Sequence, residues 1–126
     1  MRNESALKSA FMKEIKASLP GFVALRHEDV RTAGIPDLSL TGCGKTSWWE
    51  FKHSVNGFDS TGIQELTMLR LSAAGFARYV IFEDKRGIKR TLVLHPKHLS
   101  DLVAEAWCVG FDMRWLVEQV RKAHDL

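Results

Sequence analysis

Apolar residues recur at helical spacing in the first segment, where Leu7, Ala10, Phe11 and Ile15 predict a helix from about Asn3 to Leu19. Pro20-Gly21 ends it. The pattern then shortens to that of strands. "FVALR" (Phe22 to Arg26) is followed by a polar loop, His27 to Gly34, and then by "IPDLSL" (Ile35 to Leu40) and "SWWEFKH" (Ser47 to His53). Gly42 and Gly44 in "TGCGKT" supply the turn between the last two. A second helix is predicted over about Thr61 to Ala74, stopped by Gly75. "ARYVIFE" and "RTLVLH" form another strand pair around Lys85-Arg86-Gly87. Pro96 is expected to open a helix to about Cys108, and Asp112 to cap a last one to His124. The order α-β-β-β-α-β-β-α-α predicts an α/β or α+β fold, a mixed sheet with helices packed on it.

A chain of 126 residues, 45% hydrophobic and 26% charged, suits one domain with one core, spanning residues 1–126. No apolar run approaches the ~20 residues that span a bilayer. The N-terminal "MRNESALKSAFMKEIK" carries charges where a signal peptide needs an apolar stretch, so a cytosolic protein with no membrane partner is expected. Cys43 and Cys108 are too few and too far apart for a structural zinc site. The formal charge of +3 is mild; it permits nucleic acid as a partner without demanding it.

Against this ordinary background one stretch stands out. Residues two apart on a strand share a face, so Glu50 and Lys52 point the same way with Trp48, while Trp49 and Phe51 point oppositely. A hairpin closed at the Gly-rich turn would bring Asp37 close to Glu50. Two neighbouring carboxylates repel, and a divalent cation between them relieves the repulsion; oxygen ligands favour Mg²⁺ or Mn²⁺. With Lys52 at the same place, the parts suit hydrolysis of a phosphodiester. The plainer reading is a solvated Glu50–Lys52 salt-bridge face, with Asp37 a turn residue.

"GIPD", followed by Glu50-Phe51-Lys52 and then by a helix bearing glutamine, resembles the PD-(D/E)XK nuclease superfamily. "GIPDLSL…WWEFKHS…Q" is most similar to its VRR-NUC group, which includes small phage-type endonucleases. "ESALKSAFMKEIKASLPGFVALRHED" resembles that group's leading helix and first strand, so the resemblance runs from Glu4 to Phe82. It implies a restriction-endonuclease-like mixed sheet flanked by helices, an αβββαβ core here extended by C-terminal helices. It also implies a metal-dependent DNA endonuclease, phage- or bacterium-encoded and acting in the host cytosol. By the resemblance, Asp37 and Glu50 hold Mg²⁺ or Mn²⁺ with the backbone carbonyl of Phe51. Lys52 is then the catalytic lysine, Glu4 completes the carboxylate set and Gln64 lines the site. Many relatives carry valine or leucine where this chain has Phe51, a core-facing position in the strand pattern.

Other signals leave alternatives open. Glu4 and Glu14 both fall on the apolar face of the first helix; Glu4 is favoured by the family pattern alone, and the other is left an ion-pair or hydrogen-bonding role. "TGIQ" (Thr61 to Gln64) also fits a capping box. "GCGKTS" lacks the first glycine of a P-loop and runs into strand rather than helix. His95 and His98 suit surface or capping roles better than metal binding. Trp107, Phe111, Trp115 and Leu116 are core residues or, if exposed, a dimer face. Lys85, Arg86, Lys89 and Arg90 form a basic turn that can contact phosphates, as can Arg31. No base-reading motif appears, which favours structure- or strand-selective action on DNA; symmetric junction cutting would call for a homodimer.

Overall fold

The computed structural model describes residues 4–27, 34–54 and 62–126. Its elements are α1 (Glu4–Ser18), β1 (Val23–Arg26), β2 (Leu38–Gly42), β3 (Lys45–Ser54), α2 (Gly62–Ala74), β4 (Phe76–Lys85), β5 (Ile88–Leu94), β6 (Ala106–Val109) and α3 (Met113–Ala123). The six strands form one mixed sheet in sequence order, β1-β2-β3-β4-β5-β6. Every neighbouring pair is antiparallel except β3 and β4, which run parallel. Parallel neighbours need a crossover, and α2 lies in that connection.

Two of the tight turns place paired residues in the left-handed region: Cys43 and Gly44 at φ 54° and 75°, Arg86 and Gly87 at φ 54° and 80°. Both central residues at positive φ is the signature of the hairpin turn that matches strand twist, and glycine adopts it without steric cost.

Side-chain alternation sorts the sheet into two faces. Leu38, Leu40, Trp49, Phe51, Val80, Phe82 and Val93 pack against Leu7, Phe11 and Ile15 of α1 and Leu116, Val117 and Val120 of α3. The helical residues recur every three or four positions, which is one stripe of each helix. On the other face Ala77, Tyr79, Ile81, Leu92 and Leu94 pack against Met68 of α2 and against Leu99. A chain of rings runs through the first core: Phe11–Phe51, Phe51–Phe82 and Phe82–Phe111, with centroids 5.3, 5.3 and 5.2 Å apart. The α3 helix is held at both ends. Asp112 caps it through the Trp115 amide, and buried His124 bridges Ser47 and the Gly42 carbonyl of the β2–β3 hairpin.

The helix expected from Pro96 to Cys108 is not formed. Pro96–His98 make a single 3-10 turn, and Ala106–Val109 form β6 on the edge of β5. Asp101 accepts from His98 and from the Val103 amide, and Leu102 takes φ 54°, which together stop the helical path. The open edge of β5 then pairs with a short run containing Trp107 and Val109, both strand formers, and this tertiary pairing overrides local helix preference. The C-terminal region therefore holds one helix, not two. Trp107 is 55% exposed on the edge strand rather than part of the core. Of the His95/His98 pair, His95 caps the 3-10 turn through the Lys97 amide and meets Ser72 through its other nitrogen.

No helix among the described residues is long and apolar enough to cross a membrane.

Candidate active site

The β2–β3 register sets Leu38 opposite Trp49, so Asp37, just before β2, arrives beside Glu50. The two acids clasp each other through the backbone. The Asp37 amide donates to Glu50 Oε1 at 2.9 Å, and the Phe51 amide donates to Asp37 Oδ2 at 2.9 Å. Each carboxylate is thus fixed by an amide from the segment carrying the other. The Asp37 carbonyl in turn accepts from the His27 amide at 2.8 Å, tying the pair to the end of β1.

Two ammonium groups complete the cluster. Lys52 Nζ lies 3.4 Å from Glu50 Oε2, and Lys8 Nζ of α1 lies 3.2 Å from Asp37 Oδ1. Glu50 is only 2% exposed. Burial, and after it the charge of Asp37, push its carboxyl from an ordinary 4.5 up to about 8, against the lowering pull of Lys52. Tyr79, register partner of Glu50 across the parallel junction, is fully buried on the same face. Among the described residues its hydroxyl has no hydrogen-bond partner, and burial followed by the charges of Glu50 and Glu65 raises its pKa.

These residues fit a hard divalent cation. Two oxygen donors are held side by side, and burial of Glu50 and then the charge of Asp37 make its ionised form costly, a cost that a divalent cation would offset. Phe51 contributes its amide to the clasp while its ring is buried in the opposite core, as the strand pattern predicts.

The remaining expected residues are placed differently. Glu14 accepts from Ser18 and lies 3.8 Å from Arg114, a bridge from α1 to α3. Glu4 stands one helical turn before Lys8, the spacing that puts two side chains on one face. Among the described residues no three His, Cys, Asp or Glu side chains gather into a metal-holding group, so Glu4 does not form such a group with Asp37 and Glu50. Gln64 is in the first turn of α2, but its side chain lies outside the described residues, as do Thr61 and Arg31.

The basic turn extends past the end of β3, since Ser54 pairs with Glu83 and the hairpin continues to Lys85 and Ile88. Its cations are unequal. Arg90 is engaged twice by buried Glu83, at 2.9 and 2.6 Å, and lies over the Trp107 ring; Lys85 is 3.6 Å from the same carboxylate. Lys89 lies over Phe111, and Arg86 sits at the tip.

Lys8 and Tyr79 are the residues that sequence reasoning missed. Lys8 carried one usable signal, its position one turn after Glu4. Tyr79 carried none, because its neighbour across the sheet is set by a register that spacing does not reveal. Scanned against family models and against curated proteins, the sequence gives no match to either.

Proposed function

We propose that this protein is a metal-dependent DNA endonuclease of PD-(D/E)XK type that hydrolyses phosphodiester bonds. The observation that carries the reading is the Asp37–Glu50 clasp with Lys52 at 3.4 Å from the buried carboxylate. Asp37 and Glu50 would hold Mg²⁺ or Mn²⁺, which when bound supplies Lewis acidity toward a phosphoryl oxygen and lowers the pKa of water. Lys52 orients the attacking water and offers positive charge to the pentacovalent phosphorus as its oxygens gain charge. Glu50 must give up its proton before the site is loaded, so loading is favoured as pH rises toward 8. Glu4 of α1 would join the site through water, and Gln64 would line it from the start of α2. Arg86 and Lys89, with Lys85 and Arg31, are offered to phosphates on either side of the cut, which positions DNA without reading its sequence.

The test is cleavage of supercoiled plasmid, linear duplex and a four-way junction with Mg²⁺, Mn²⁺ or EDTA. We expect cutting that needs the metal and disappears in Asp37→Asn; undiminished cutting by that variant sinks the assignment. A second reading, a non-catalytic DNA-binding or protein-interaction module, is favoured by one observation: each carboxylate already has an ammonium neighbour, Asp37 in Lys8 and Glu50 in Lys52. Calorimetry separates the two. The nuclease binds Mn²⁺ and loses it in Asp37→Asn, whereas the module binds none.

A further inference from the structure

A cavity of about 540 Å³ lies at the end of the sheet where β3 and β4 begin, walled by Trp48, by Leu71 and Ala74 of α2, by Phe76 and by Ala123 of α3, with Lys45 and Thr46 beside them. That volume falls in the ~300–1,000 Å³ range of small-ligand sites. None of these residues takes part in the carboxylate cluster. Yet Trp48 precedes Glu50 by two positions on the same face of β3, a distance of about 7 Å along the strand.

The lining is unlike a groove for an aliphatic chain. One wall is the Trp48 indole, whose ring lies 5.3 Å from that of His27, which Ser39 holds by a 2.7 Å hydrogen bond. The rim is polar, with the Lys45 ammonium paired to Asp125 and the Thr46 hydroxyl bonded to Thr41. A flat apolar wall with a polar mouth is complementary to a nucleobase, which has π faces and a hydrogen-bonding edge. Bases within an intact duplex have no face to offer. The occupant must be unpaired or extruded.

We propose that this cavity receives one unpaired nucleobase of the DNA strand running along β3, stacked on Trp48 beside the phosphate held at Asp37, Glu50 and Lys52. The proposal rests on the nuclease reading and narrows it: the substrate class is DNA with an unpaired nucleotide next to the cut. The basic turn lies beyond the opposite end of β3, so the strand would run from base pocket to carboxylates to cations.

The test is binding, by fluorescence anisotropy in EDTA, of a duplex carrying one unpaired adenine and of the same duplex fully paired. Cleavage of both with Mg²⁺ is measured in parallel. Wild-type protein should prefer the unpaired adenine about 10-fold, in line with the worth of one base–aromatic stack. Trp48→Ala should erase the preference and Trp48→Phe should keep it. Ala74→Trp, which puts an indole across the mouth from an exposed position, should also erase it without disturbing the core. Melting temperatures show which variants are folded, and Ala74→Trp decides should Trp48→Ala unfold. Equal binding of the two duplexes by wild type, or a preference surviving in a folded Ala74→Trp, overturns the pocket. Preference without metal-dependent cutting removes the nuclease reading and keeps the pocket; cutting without preference does the reverse.

Discussion

Glu50 is a carboxylate in a place where ionisation is costly. With its folded pKa near 8 and an ordinary value of 4.5 in the unfolded chain, the folded state binds the extra proton throughout that interval. Stability of the metal-free protein should therefore fall as pH rises from about 4.5 to 8 and level off above it, where both states are ionised. Denaturant midpoints in EDTA across this range check the slope, and Glu50→Gln should flatten it. An identical slope in the variant would mean that another group governs it. Added Mn²⁺ should restore stability most at the alkaline end. Lys8 acts on the other carboxylate, lying where a cation beside Asp37 Oδ1 would be repelled. Lys8→Met should raise Mn²⁺ affinity by roughly 3- to 10-fold, the worth of one half-buried charge contact. Unchanged or weaker binding by calorimetry would show that Lys8 does not compete for the site.

At the scale of elements, the charged cluster is as rigid as the strand beneath it. Phe51 separates Glu50 from Lys52 and is locked between Phe11 and Phe82 on the buried face. Phe11→Ala should cost ~3–5 kcal/mol in chemical denaturation, because neighbouring rings cannot collapse into the space it leaves. A loss below about 1 kcal/mol would mean that α1 is a loose cover rather than part of the core. The parts legible in the sequence were those set by local spacing: α1, the β2–β3 hairpin, the alternation of Trp48, Glu50 and Lys52 against Trp49 and Phe51, and so the meeting of Asp37 with Glu50. What escaped depends on distant pairing. The run from Pro96 to Cys108 has residues tolerable in a helix, and only the vacant edge of β5 makes Ala106–Val109 a strand. Lys8 reaches Asp37, and Tyr79 meets Glu50, through packing and register between separate segments.

Across the whole molecule, the nuclease reading predicts binding to DNA that is strongly salt-dependent, with the cations of the β4–β5 turn contributing separately. Arg86→Ala and Lys89→Ala should each reduce the slope of log K against log salt by about 1, leaving the fold intact. Arg90→Ala should behave differently. Among the described residues it leaves Glu83, 5% exposed, with the longer contact to Lys85 as its remaining ion pair, and should cost ~1–3 kcal/mol of stability. Equal salt slopes and equal stabilities for all three variants would remove the distinction between phosphate-facing and structural cations.

The single parallel junction between β3 and β4 divides the sheet into two three-stranded meanders. Lys8, Asp37, Glu50 and Lys52 all belong to the first meander and its leading helix, while the basic turn belongs wholly to the second. On the proposed reading, the groups assigned to cutting and the cations of the basic turn lie in different halves of the chain, joined by one seam at which Tyr79 is the buried neighbour of Glu50. Were the chain to act as proposed, substitutions in the β4–β5 turn would change how tightly DNA is held while the groups that would cut it stay as they are.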